Sequence, residues 1–263
     1  MKHIISAVRP REEHMKELLD VSYRVDQEIC KLDLYLPDCK NYPVIVFFHG
    51  GGLTGGNRKR PCEIEAARAY VEKGIGYAMV EYRMYSQGAK FPDFLEDAEE
   101  AIRFVASFMK EQGNEGPILF AGSSAGAWIG LMLCLSGQYL QDLPIAGWLI
   151  ESPQTTSHFT VIQQELGLDP RLERIDEFAP LYYVGPDTKF SKMLLMVYDN
   201  DMPCRYEENM LFVKHIRRFN PEADLEYYVL SGTHTQGSAV KDEDGQYPVF
   251  KLTLDWMKRK GLI

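Results

Sequence analysis

Residues Ile118–Gly126 read ILFAGSSAG. The first four are an apolar run of strand length, and the last five fit the pattern G-x-S-x-G with Ser124 at the serine position. Ala125–Ser136 (AGAWIGLMLCLS) follows, apolar and of helix length. A strand running straight into a helix through Gly-Ser-Ser-Ala-Gly describes a tight turn with a serine at its apex, where only small neighbours relieve the crowding. The start of the following helix brings unpaired N–H groups and a positive dipole end to that serine.

Outward from this turn the chain alternates strand and helix signals. Val44–Phe48 (VIVFF) is continuously apolar, as a strand buried on both faces is. Tyr77–Tyr82, Gly147–Ile150, Leu194–Tyr198 and Leu225–Leu230 are read as further strands. Lys31–Leu36 (KLDLYL) alternates and is expected to be a half-buried edge strand. Phe94–Met109 carries apolar residues at Leu95, Ala98, Ile102 and Val105, a helical period, and helices are expected over Glu207–Phe219 and Val249–Lys260. Strands separated by helix-length segments predict a mostly parallel central sheet with helices on both faces, in a single α/β domain over 1–263. Pro153–Phe190 breaks the rhythm and is read as an irregular insertion that walls the site.

The 263 residues are 45% hydrophobic and 25% charged, which argues against a disordered or fibrous chain. A net charge of −9 lacks the positive field that phosphate backbones need, so no nucleic-acid partner is expected. Apolar stretches are far short of the ~20 residues that span a bilayer, so no membrane partner is expected. The N-terminal stretch is charged and lacks an apolar leader core, and the five cysteines form no C-x-x-C pair. Reduced thiols and a cytoplasmic location are the expectation, with no metal and no cofactor.

His49-Gly50-Gly51-Gly52 follows the VIVFF strand directly. Acyl transfer places negative charge on a carbonyl oxygen, and preorganised N–H donors stabilise it. Gly51, Gly52 and Ala125 are the candidate oxyanion donors. His49 is read as a structural support for this loop, and Leu53 and Thr54 as candidate substrate contacts. A serine hydroxyl needs a base, and the base an orienting acid. Ser231-Gly232-Thr233-His234 follows the strand Leu225–Leu230, at the end of a parallel strand where such sites lie, so His234 is the candidate base. His158, in the insertion, is the rival. His3, His14 and His215 are read as surface residues, and Trp128 as core. Three carboxylates compete for the acid: Asp199, Asp201 and Glu151. Met202-Pro203 favours a turn that presents Asp201. Glu151 is more simply read as a capped or solvated carboxylate. Arg83 and Asp97 are read as partners in a network beside the glycine loop.

Taken together, LDLYLP (Leu32–Pro37), HGGG, Glu81-Tyr82-Arg83, Phe91-Pro92 with Leu95-Glu96-Asp97, GSSAG and Ala179-Pro180-Leu181-Tyr182-Tyr183 resemble α/β-hydrolase serine esterases. The resemblance is to the small bacterial carbohydrate and acyl esterases akin to the hormone-sensitive-lipase group. It implies the α/β-hydrolase fold and a triad of Ser124, Asp201 and His234. The chain departs from that pattern at Leu53, where many relatives carry Trp or Phe, and at Tyr198, where they carry Gly. The expected reaction is hydrolysis of a small-molecule or oligosaccharide ester. Because Pro153–Phe190 mixes polar residues and holds no broad apolar face, short acyl groups, acetyl above all, are expected. An arylformamidase or small peptidase would use the same triad. A ligand-binding member of the fold without catalysis is the third reading, and the presence of both Ser124 and His234 weighs against it.

Overall fold

The computed structural model describes residues 8–10, 15–157, 159–169 and 172–263. Its elements, in chain order, are β1 Val8–Pro10, β2 Met15–Ser22, β3 Lys31–Pro37, β4 Val44–Phe48, α1 Pro61–Glu72, β5 Gly76–Val80, α2 Asp93–Glu111, β6 Ile118–Ser123 and α3 Ala125–Leu135. There follow β7 Gly147–Glu151, α4 Thr160–Glu165, β8 Met193–Tyr198, α5 Arg205–Phe219, β9 Leu225–Leu230, α6 Gln236–Ala239 and α7 Pro248–Arg259. Among the described residues the strands form one sheet in the order β1-β2-β3-β5-β4-β6-β7-β8-β9. β1, β2 and β3 join β5 through antiparallel pairs. From β5 to β9 every pairing is parallel.

Side chains alternate across β4. Val44, Val46 and Phe48 enter one core with Phe94, Ile102, Trp128 and Phe212, from α2, α3 and α5. Ile45 and Phe47 enter the other, with Tyr70 of α1 and Phe250 and Trp256 of α7. Period-2 alternation of purely apolar residues is what a strand sandwiched between helix layers requires. Trp128 is fully buried, and its indole N–H donates to the Phe178 carbonyl at 2.9 Å. Phe178 lies in the 153–190 insertion, which is thereby tied to α3.

One sequence expectation fails here. β3 is not an edge strand: it lies between β2 and β5, and its central residues are buried. The covering strand β2 (MKELLDVS) is charged, and its register shifts between Leu18 and Val21. Asp20 there has φ +57°, so the alternation that would mark a strand is broken. Glu17 and Asp33 are buried on these strands, and the Arg68 and Arg58 guanidinium groups contact them. Among the described residues no helix is long and apolar enough to cross a membrane. Of the histidines read from sequence, His3, His14 and His158 lie outside the described residues, and His215 is half-buried against Phe219.

Candidate active site

Ser124 sits between β6 and α3 with φ +54° and ψ −114°, a left-handed region that non-glycine residues rarely adopt. Packing holds it there. A Cβ on Gly126 would lie 2.0 Å from the Phe48 carbonyl oxygen, and one on Gly122 would lie 2.4 Å from the Gly126 carbonyl oxygen. Glycine at both positions lets α3 approach the strands closely enough to fold the turn. The Ser124 N–H donates to the Glu151 carbonyl at 2.8 Å, anchoring the turn to the end of β7.

His234 and Asp201 come to this serine from the ends of two neighbouring strands. Nε2 of His234 is 2.9 Å from Ser124 Oγ, and Nδ1 is 2.5 Å from Asp201 Oδ1. An ionised carboxylate only accepts, so Nδ1 carries the proton and Nε2 is left to accept from the serine hydroxyl. The Asp201 carboxylate is wholly enclosed, while the His234 ring is 23% exposed. Burial works against ionisation of Asp201. The hydrogen bonds from His234, from Ser152 Oγ at 2.7 Å and from the Met202 N–H at 2.7 Å outweigh it, and hold the carboxyl below its usual range. Asp199 is employed elsewhere: its Oδ1 accepts from the Gly232 N–H at 2.9 Å.

The glycine loop is fixed from behind. The His49 ring is buried, stacked on Tyr82 with centroids 4.6 Å apart, and its Nε2 lies 3.2 Å from Glu81 Oε1. Tyr82 donates its hydroxyl to the His49 carbonyl at 2.8 Å. Burial raises the Glu81 carboxyl, but the bonds and charges of His49 and Arg58 bring it below its usual value. Alongside, Arg83 grips Asp97 through two 2.8 Å bonds, and Arg24 adds a third at 2.7 Å. Gly51 and Gly52 have φ +127° and +62°, and a Cβ on Gly51 would overlap the Gly55 carbonyl. Neither glycine N–H, nor that of Ala125, enters a loop or cap hydrogen bond among the described residues.

Ser124 and His234 open into a cavity of about 580 Å³. Its wall includes Gly50, Gly51, Gly52 and Thr54 on one side and Gln154, Phe159 and Val161 of the insertion on another. Arg60, Met202, Arg205 and Thr235 also line it. Arg205 is occupied by Glu208 at 2.8 Å and by the Ser152 carbonyl at 2.9 Å. Two sequence readings are corrected here. Leu53 is fully buried in the core, at φ +62°, and does not line the cavity, whereas Thr54 does. Glu151 is neither solvated nor a cap: it is 2% exposed, and Tyr198 donates to its carboxylate at 2.6 Å. Sequence reading missed Ser152 as a partner of Asp201, and Arg60, Gln154, Phe159 and Val161 as individual wall residues. The only signal for the last three was the break in rhythm at 153–190.

Residues 32–162 match the BD-FAE family model. The carboxylesterase NlhH of Mycobacterium tuberculosis is 28% identical over 158 residues, covering 59% of this chain and 49% of its own. The chain thus spans about half the length of the curated relative it matches. Among solved structures, a truncated carbohydrate esterase from gut microbiota superposes with a TM-score of 0.75 at 16% identity, covering 98% of this chain and 100% of that one. Esterase B from Lactobacillus rhamnosis HN001 gives 0.75 at 16% identity, over 95% of this chain and 86% of its own. With the sheet order, the serine on its strand-to-helix turn and these likenesses together, the chain has the α/β-hydrolase fold and is similar in sequence to a carboxylesterase.

Proposed function

We propose that the protein is a serine carboxylic-ester hydrolase that works through an acyl-enzyme, with a single hydrolase domain over 1–263. The observation that carries this reading is the unbroken hydrogen-bonded line from Ser124 Oγ through His234 to Asp201, with contacts of 2.9 and 2.5 Å, opening into a cavity. His234 Nε2 takes the proton as Ser124 Oγ attacks the ester carbonyl. Asp201 stabilises the imidazolium and fixes its tautomer. The N–H groups of Gly51, Gly52 and Ala125 receive the charge on the tetrahedral oxygen, where one lost donor costs about 3 kcal/mol. His234 then returns the proton to the leaving alcohol. Water repeats the sequence to release the acid.

The acyl group is short, acetyl above all, and the alcohol is a small molecule or a sugar. Support comes from the mixed wall: Thr54, Gln154, Arg60 and Thr235 interrupt the apolar surface of Phe159, Val161 and Met202. A long chain would need a continuous apolar groove to gain ~0.8 kcal/mol per buried CH₂. In the insertion α4 is only six residues long, too short for an apolar lid. The test is a rate comparison with p-nitrophenyl acetate, butyrate and octanoate beside a formanilide and a peptide anilide. Ester cleavage falling from acetate to octanoate is the expected result. Faster cleavage of either amide would replace the ester reading.

A further inference from the structure

We propose that Glu151 is a positioning residue for the ester hydrolysis proposed above, holding the Ser124 turn and the His234 loop in register through the Tyr198 hydroxyl. This rests on that reading of the site. Glu151 closes β7, directly opposite Ser123 in the sheet, and its backbone carbonyl accepts from Ser124 N–H at 2.8 Å. Its side chain accepts from Tyr198 O–H at 2.6 Å. The same Tyr198 oxygen accepts from Gly237 N–H at 2.7 Å. Gly237 lies in α6, three residues beyond His234, and a Cβ there would sit 2.6 Å from the Tyr198 oxygen. Ser152, the neighbour of Glu151, donates to Asp201, three residues beyond Tyr198.

One buried residue is therefore bonded through its carbonyl to the nucleophile's turn, through its carboxyl to the strand that leads to the acid, and by way of the Tyr198 oxygen to the helix that follows the base. Among the described residues no lysine or arginine pairs with it. An uncompensated carboxylate in the core is costly, and burial accordingly pushes Glu151 upward, while the Tyr198 hydroxyl draws it back. Glu63 lines the same cavity of about 40 Å³ and brings no positive charge to relieve it. A group held at that cost in the centre of three chain segments acts on their relative position. Displacing His234 Nε2 from Ser124 Oγ slows proton transfer and leaves substrate binding alone, so the effect falls on kcat.

The experiment compares the wild-type protein with Tyr198→Phe, Glu151→Gln, Glu151→Ala and Glu63→Gln. It reads kcat and KM for p-nitrophenyl acetate, the thermal midpoint, and the downfield proton resonance of the His234–Asp201 hydrogen bond. Tyr198→Phe keeps the ring and removes the link. It is expected to lower kcat roughly ten- to hundredfold, with KM within about twofold and a shifted or broadened resonance. Glu151→Gln retains an acceptor for Tyr198 and is expected to keep kcat within about threefold, whereas Glu151→Ala falls with Tyr198→Phe. Glu63→Gln, which shares the cavity but not the link, leaves the resonance in place. Unchanged kcat and resonance in Tyr198→Phe overturn the proposal, as does a loss that merely follows the thermal midpoint. If the wild-type protein cleaves no ester, the ester reading fails by itself. The resonance still decides: moved in Tyr198→Phe, the positioning role stands, and unmoved, it falls.

Discussion

Ser152 donates its hydroxyl to Oδ2 of Asp201 at 2.7 Å, on the side of the carboxylate away from His234. That bond is one of three that keep the buried carboxyl ionised against its own desolvation. In Ser152→Ala the carboxyl titrates higher. Asp201 is depressed in the folded protein, so its ionised form and the activity that depends on it are lost as pH falls through the folded value. The variant therefore loses activity earlier on acidification. An upward shift of the acid limb of kcat/KM, with roughly a tenfold loss at most near pH 8, is expected. Superimposable profiles would remove Ser152 from the account.

Asp201→Asn is expected to cut kcat by orders of magnitude, because an amide cannot stabilise the imidazolium and favours the wrong tautomer. Asp199→Asn keeps an oxygen that can accept from Gly232 N–H, and is expected to change kcat by less than about threefold. Steady-state rates of the two variants on p-nitrophenyl acetate decide the assignment, and reversed effects would move the acid two residues upstream.

Ser124→Ala removes the attacking oxygen without disturbing the turn, since alanine tolerates the φ of +54° about as well as serine. Hydrolysis is expected to fall at least 10³-fold with the thermal midpoint preserved, and labelling by a fluorophosphonate is expected to vanish. Retained labelling in this variant would place the nucleophile elsewhere.

Glu63 is 3% exposed, its Oε1 has no hydrogen-bond partner, and burial pushes its carboxyl up to about 7. The folded chain thus holds this proton where the unfolded chain, with a carboxyl near the usual ~4.3, releases it. Stability contributed by the neutral form is full below the unfolded value and is lost as pH rises through about 7, a swing on the order of 3 kcal/mol. Glu63→Gln carries no such proton. Its denaturation midpoint relative to wild type is expected to improve from pH 5 to pH 8. A difference that stays flat over that range would show that the carboxyl titrates normally.

The run Val44–Phe48, the GSSAG turn and His234 beyond Leu225–Leu230 were legible because their meaning is local. A doubly buried strand must be continuously apolar, an exposed serine on a tight turn must have small neighbours, and a base at a strand end is announced by the strand itself. The sequence by itself therefore determined the succession of strands and helices along the chain and named Ser124 and His234 as the nucleophile and base of the proposed reaction. The interior place of β3 was decided only in three dimensions, because the charged strand β2 covers it through a shifted register. Leu53 and Thr54 are adjacent, yet the loop's φ of +62° at Leu53 turns one into the core and leaves the other at the cavity. Asp199 and Asp201 are two residues apart, and only the partners brought up from distant segments, Gly232 for one and His234 with Ser152 for the other, separate them. Glu151 carries no mark of its neighbours in the sequence. Its hydrogen bonds run to residues as far as 47 positions away, and such contacts exist only once the sheet has closed.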